Sequence, residues 1–168
     1  MERSIGVGAL GFHAYLQRKN IAWESPMATG ANIRMFKYIR DGLNSANLQL
    51  GNERGEAPDA KGTGFRFSHV MAIAPNASSS ILMGNTSPSI EPFRANAYRQ
   101  DTLSGSYLNK NKYLDNIIKA KCEENTKLDY QDVWSSIIEN DGSIQHLDFL
   151  DEWTKEDRKS TRLNSSHV

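Results

Sequence analysis

Apolar positions along this chain gather into a few short periodic runs separated by long polar stretches. The clearest run spans residues 31–50, where Ile33, Phe36, Ile39 or Arg40, Leu43, Ala46 and Leu50 recur at spacings of three and four. That spacing lines one side of an α-helix and predicts an amphipathic helix with an apolar stripe. Thr29 or Asn32 is its candidate N-cap, and Gly51, Gly55 and Pro58 stop it. Residues 12–19 predict a shorter helix with Phe12, His13 and Leu16 on one face. Residues 113–122, carrying Leu114, Ile117 and Ile118, and residues 130–139, carrying Val133, Trp134, Ile137 and Ile138, predict two more. Asn140-Asp141-Gly142 is a turn that ends the second of these, and Asp148 is the candidate cap of a last helix starting at Phe149 and Leu150.

Strand signals are sparse. Residues 70–74 form one short continuous apolar run of the kind that makes a buried strand. Pro75 ends it, having no N–H to give a ladder. Residues 51–64 are a polar, glycine-rich loop, and residues 87–106 read as irregular, with Pro88 and Pro92 blocking helix. No internal repeat is visible. So few strands cannot close a sheet or barrel around their own core. The expectation is an α/β fold, mostly helical, that is a piece of something larger.

Candidate chemistry follows the strand. Asn76, Ala77, Ser78, Ser79 and Ser80 are small and carry three hydroxyls. Small residues let backbone N–H groups converge on an anion, and the hydroxyls add donors. A following helix would favour the same negative charge at its N-terminus. The reading is a phosphate cradle without a fixed positive charge.

Composition narrows the partners. Lys plus Arg and Asp plus Glu balance at 20 each, so no bulk footprint for nucleic acid is present, and no apolar run is long enough to span a bilayer. No metal-ligand spacing links His69 and His146 to other ligands. The single cysteine, Cys122, excludes an internal disulfide, fits a reducing compartment, and reads as an incidental surface thiol. Gly6, Gly8 and Gly11 fit G-x-G-x-x-G, but no full strand precedes them, and Glu24 adjoins Ser25-Pro26 instead of ending a strand. These glycines read as close packing of a short strand against a helix. His13 reads as a packed histidine hydrogen-bonded to backbone. Glu91, beside Pro92, is open between a simple pairing and a pocket role; Arg94 reads as an ion-pair residue.

The segment A-P-N-A-S-S-S-I-L-M-G-N-T-S-P-S-I-E-P-F, from Ala74, resembles the active-site loop of the large, catalytic subunit of aerobic ribonucleotide reductases, where P-x-A-S-S/T precedes an I-E-P or F-E-P element. Four further stretches agree in order, beginning at Arg3, Arg94, Tyr113 and Ser135; the first, R-S-I-G-V-G-A-L-G-F, is similar to the family's R-x-I-G-x-G-x-x-G-F. The likeness is greatest to the phage-like form of the class I enzyme. It implies the C-terminal portion of a ten-stranded α/β barrel over residues 1–156. It also implies reduction of ribonucleoside diphosphates to 2′-deoxyribonucleoside diphosphates by thiyl-radical chemistry. Asn76, Ala77, Ser78, Ser79 and Ser80 would bind the substrate diphosphate, with Pro75 and Glu91 as possible pocket residues. The family's radical cysteine, redox cysteines, relay tyrosines and allosteric sites have no match here, so no catalytic residue is expected in this chain, and the isolated polypeptide is expected to be inactive and of low stability. The family pairs with a second large subunit and with a small subunit that holds the radical cofactor; it responds to ATP and dNTP effectors and works in the cytoplasm, here of a bacterial or phage-infected cell. The competing reading is a non-catalytic phosphate- or nucleotide-binding module, which would need a complete sheet with covered edges. Residues 157–168 have no apolar periodicity and match the in-frame translation of a common short-read sequencing adaptor, so native sequence is expected to stop near Glu156.

Overall fold

A computed structural model describes residues 1–102 and 105–158. In order it runs α1 (Phe12–Arg18), α2 (Pro26–Arg54), a single 3-10 turn, α3 (Ala77–Leu82), β1 (Ala97–Thr102), β2 (Gly105–Lys110), α4 (Lys112–Glu124), α5 (Tyr130–Glu139) and α6 (Glu152–Asp157). Among the described residues the sheet is two-stranded, β1 and β2 pairing antiparallel with Ala97 opposite Lys110. That is the helix-rich, strand-poor α/β piece the pattern predicts, with two corrections to its strands.

The first concerns residues 70–74, which are not a buried strand. Their pairing is a single parallel bridge, Val7 to Met71, supported by the Val7 N–H donating to Val70 O at 3.0 Å and the Ala72 N–H donating to Val7 O at 3.2 Å. Ile73 is 71% exposed, because no layer covers that face. The second is the hairpin within the stretch read as irregular. Pro88 and Pro92 do exclude helix, but the chain beyond Pro92 is free to pair, and Gly105 takes the positive φ of 129° that opens β2.

The helices match better, apart from their ends. α2 begins at Pro26, capped by Ser25, whose Oγ accepts the Ala28 N–H at 3.2 Å, so Thr29 and Asn32 both lie inside it. Proline suits the first helical position because its fixed φ is already helical. α2 also runs through Gly51 to Arg54, with Gly55 after it at φ +79°. Its stripe is only partly covered: small Ala28 and Ala31 are buried against α1, whereas Ile33 is 61% exposed. α2 thus starts early, whereas α6 starts late, capped by Asp151, whose Oδ1 accepts the Thr154 N–H at 2.7 Å, and not by Asp148.

Two apolar cores result. One packs Phe12 and Leu16 of α1 on α2, with Trp23 edge-on to Phe12 at 5.9 Å. The other gathers Leu114 and Ile118 of α4, Trp134 and Ile137 of α5, and Ile144. Lys110 at the end of the hairpin lies 4.7 Å over the Trp134 ring, tying β2 to α5. Between the cores runs a buried polar seam. Asn111 Nδ2 donates to Gln17 Oε1 and to Asn96 Oδ1, both at 3.0 Å, and Asn96 Nδ2 donates to Gly142 O at 3.1 Å. Asn111 Oδ1 accepts the Tyr113 N–H at 3.0 Å, so the same side chain caps α4.

Residues 55–64, the part of the predicted 51–64 loop that lies beyond α2, fold tightly for so polar a loop. The Glu56 carboxylate accepts the N–H groups of Gly62 and Gly64, which hold it below the usual carboxylate range. Asn47, only 4% exposed, pairs with the Phe67 backbone like a strand residue, donating to its carbonyl at 2.9 Å and accepting its N–H at 2.8 Å.

Of the stretch read as foreign sequence, residues 159–168 lie outside the described residues. Asp157 and Arg158 do not: they form an adjacent ion pair, each 2% exposed, and among the described residues Asp157 Oδ1 and Arg158 Nε have no hydrogen-bond partner. Burying two charges with unsatisfied atoms costs more than their attraction returns. Making the pair apolar with the double substitution Asp157→Leu and Arg158→Met is expected to raise stability by about 1–4 kcal/mol, read by urea denaturation; a clear loss would count against it.

Candidate functional site

The candidate site begins where residues 5–7 and 69–72 run side by side. Gly6 and Gly8 permit this approach: a Cβ on Gly6 would lie 2.7 Å from Ala72 Cβ, and one on Gly8 would lie 2.5 Å from Ala72 O. Their close packing is therefore against an extended segment, not a helix. Gly11, at φ +81°, then opens α1. The following element is α2 and no second parallel strand among the described residues completes a βαβ unit, while Glu24 sits in the turn before α2, so a dinucleotide fold does not form.

Past the bridge, Pro75 is exposed and Asn76 turns into the left-handed region, at φ 53° and ψ 30°. Asparagine tolerates this conformation better than most residues. Its Nδ2 donates to Ala9 O at 3.4 Å, tying the turn back to the glycine segment. α3 follows at once, and its first internal bond is from the Ser80 N–H to Asn76 O at 2.9 Å. The N–H groups of Ala77, Ser78 and Ser79 therefore have no backbone acceptor, as at the start of any helix. Ala77, Ser78 and Ser79 are exposed. Ser80 differs: it is 6% exposed and its hydroxyl donates to Ala77 O at 2.6 Å, so that hydroxyl is engaged within the helix. The turn thus presents three N–H groups and the hydroxyls of Ser78 and Ser79 to one small region of surface, a geometry suited to an oxyanion.

Beside it lies an apolar cavity of about 410 Å³, lined by Val7, Ala9, Phe36, Met71, Ile73 and Ile90 among others. Neither Pro75 nor Glu91 lines it. Glu91 is exposed, and among the described residues its carboxylate makes neither hydrogen bond nor ion pair; Arg94 likewise is exposed and makes no ion pair.

His13 is fully buried and accepts the Phe93 N–H at Nδ1 over 2.8 Å, as a packed histidine should. With Nδ1 accepting, the proton sits on Nε2, which faces Asp157 O at 3.4 Å. Burial, and then the Arg158 charge, lower its pKa to about 4. Cys122 is half-buried against the second core, and burial pushes its thiol up, followed by the charge of Asp129. A raised pKa disfavours the reactive thiolate. Among the described residues no three His, Cys, Asp or Glu side chains gather as a metal set, and no helix is long and apolar enough to cross a membrane.

Sequence reasoning misses Ser87, Asn96 and Asn47, whose buried side chains bond to backbone and, for Asn96, also to Asn111. Only Asn111, standing just before an apolar periodic run, carries a legible signal, that of an N-cap.

Three comparisons bear on this geometry. The family model described as "Ribonucleotide reductase, barrel domain" matches residues 1–62 and 57–161. The chain is 58% identical over 146 residues to the ribonucleoside-diphosphate reductase large subunit of Invertebrate iridescent virus 6, covering 87% of this chain and 15% of that one. It is 56% identical over 149 residues to the same subunit of Invertebrate iridescent virus 3, covering 89% and 23%. Among solved structures, the Actinobacillus ureae class Id ribonucleotide reductase alpha subunit superposes with a TM-score of 0.82 at 38% identity, covering 95% of this chain and 28% of that one. The chain thus spans between 15% and 28% of the length of these relatives.

Proposed function

The chain belongs to the ribonucleotide reductase barrel family, and from that premise we propose that it forms part of the large subunit of a ribonucleoside-diphosphate reductase, in which residues 75–80 hold the substrate's diphosphate. One observation carries the reading: the left-handed turn at Asn76 brings three unpaired N–H groups and two exposed hydroxyls to one place, in the segment that resembles the family's substrate loop. Dipoles suffice here because the anion is to be positioned, not cleaved. Asn76 shapes the turn, Ala77 keeps the approach open, Ser78 and Ser79 donate, and Ser80 closes the first turn of α3. Pro75 and Glu91, which do not line the apolar cavity, are given no part in holding the diphosphate.

The parent enzyme would reduce ribonucleoside diphosphates to 2′-deoxyribonucleoside diphosphates, paired with a second large subunit and with a small subunit that holds the radical cofactor, under control by ATP and dNTP effectors, in the cytoplasm of a host cell. With one cysteine, this chain offers no dithiol for the reduction; its part is to orient the substrate. The free-standing binding module is disfavoured by the pairing of residues 5–7 with 69–72, which among the described residues is an isolated bridge and not part of a complete sheet.

The test is a titration of the chain with a ribonucleoside diphosphate, followed by amide chemical shifts. The expected result is shifts concentrated at Ala77, Ser78 and Ser79, with Ser78→Ala and Ser79→Ala each weakening binding roughly three- to tenfold, the worth of one hydrogen bond. Shifts confined to other regions would sink the reading.

A further inference from the structure

The loop between α3 and β1 is fastened to the first turn of α1 by three bonds of alternating direction. The Phe12 N–H donates to Ser89 O at 3.2 Å, the Ala14 N–H donates to Ser87 Oγ at 3.0 Å, and the Phe93 N–H donates to His13 Nδ1 at 2.8 Å. All of this is interior: Ser87 and His13 are fully buried, Ser89 is 1% exposed and Ala14 is 3% exposed. α1 has no side-chain cap of its own, since its N-cap is Gly11. Ser87 therefore supplies from 73 residues away what an N-cap serine normally supplies locally. The same loop reaches the cradle helix at its other end, where the Thr86 N–H donates to Ser80 O at 3.1 Å. The loop holds positive φ at Gly84, Asn85 and Ser89, a conformation that must be held in place from outside.

We propose that Ser87 is a positioning residue for the diphosphate cradle: by accepting the Ala14 N–H it locks the loop onto α1, and through Thr86, whose N–H caps the Ser80 carbonyl in the last turn of α3, it holds in place the six-residue helix whose first residues form the cradle. The proposal rests on the cradle reading for its functional meaning, though not for its structural content. Ser89 provides a matched control, because among the described residues its buried hydroxyl has no hydrogen-bond partner.

The test is native-state amide hydrogen exchange in the cold on the whole chain, comparing Ser87→Ala and Ser89→Ala. Ser87→Ala is expected to cut the protection of the Ser80 and Thr86 amides at least tenfold, leaving the Ile118 and Ile137 amides of the other core unchanged; Ser89→Ala is expected to spare both sets. Unchanged protection at Ser80 and Thr86, or an equal fall in both cores, overturns the proposal. In a parallel titration with inorganic diphosphate, Ser87→Ala is expected to weaken binding at Ala77–Ser79 about tenfold, and wild-type affinity in that variant overturns the positioning role. If the unaltered chain shows no response there, the cradle reading fails, and the exchange comparison still decides the role of Ser87.

Discussion

Gly51→Ala will destabilise the chain by about 3 kcal/mol or more, among the largest effects a single methyl group can have. A Cβ at Gly51 would collide with Gly64 O and stand 2.8 Å from its carbonyl carbon. Both neighbours are backbone, so no side chain can swing away. Either α2 must shift or the 55–64 loop must leave, and with it the pairing of Asn47 to Phe67. The helix itself does not want glycine there, since alanine is the better helix former by ~1 kcal/mol. Gly42 isolates that term: it lies in the same helix, and a Cβ there would meet nothing within 4 Å, so Gly42→Ala is expected to stabilise by about 0.5–1 kcal/mol. Urea denaturation followed by circular dichroism measures both. Matching shifts for the two variants would refute the close crossing of α2 and the loop.

The second large effect is on pH. His13 has its pKa lowered from 6.5 to about 4 by burial and then by the Arg158 charge. The unfolded chain therefore takes up this proton first as pH falls. Stability is fully present above pH ~6.5 and is lost progressively down to about pH 4, below which both states carry the proton. A depression of that size corresponds to ~3 kcal/mol. Denaturation midpoints at several pH values between 7 and 4 should show that loss in the wild type and a flat profile in His13→Asn. The carboxylates do not confuse the reading: Glu56, held down by the Gly62 and Gly64 N–H groups, gives up its contribution only as pH falls below its ordinary value of 4.5. A wild-type profile that is flat down to pH 4.5 would refute the buried, neutral histidine.

The helices are legible in the sequence because each carries its own period. α5 coincides with the predicted run, and α1 and α4 differ by only a residue or two. Their caps are harder to read where a hydroxyl or carboxylate competes with its neighbours, as Ser25 does with Thr29 and Asp151 with Asp148. Burial of residues 70–74 is misjudged for a physical reason: an apolar run states what a strand would bury against, not whether that layer is present in the chain. The hairpin escapes notice because seven of its twelve positions are polar (Arg99, Gln100, Asp101, Thr102, Ser106, Asn109 and Lys110), which leaves alternation without contrast. The cradle is legible as chemistry from its small residues and hydroxyls. Its fastening is not, because the Ser87 bond to Ala14 and the His13 bond to Phe93 join positions 73 and 80 residues apart, and no local pattern encodes such a partner.

The polar contacts among Gln17, Asn111 and Asn96 have a consequence for uniqueness. Apolar contacts are non-directional and by themselves specify relative placement only weakly. An amide held at 3.0 Å to two partners, with its oxygen committed to the start of α4, tolerates one placement only. A slip of a single residue would strand several buried donors and acceptors at once, and each stranded group costs about 1–3 kcal/mol. These three side chains act as a key between two smooth halves. They add modestly to how firmly the halves hold, and they decide how the half bearing the serine-rich turn is aligned with the half bearing the hairpin.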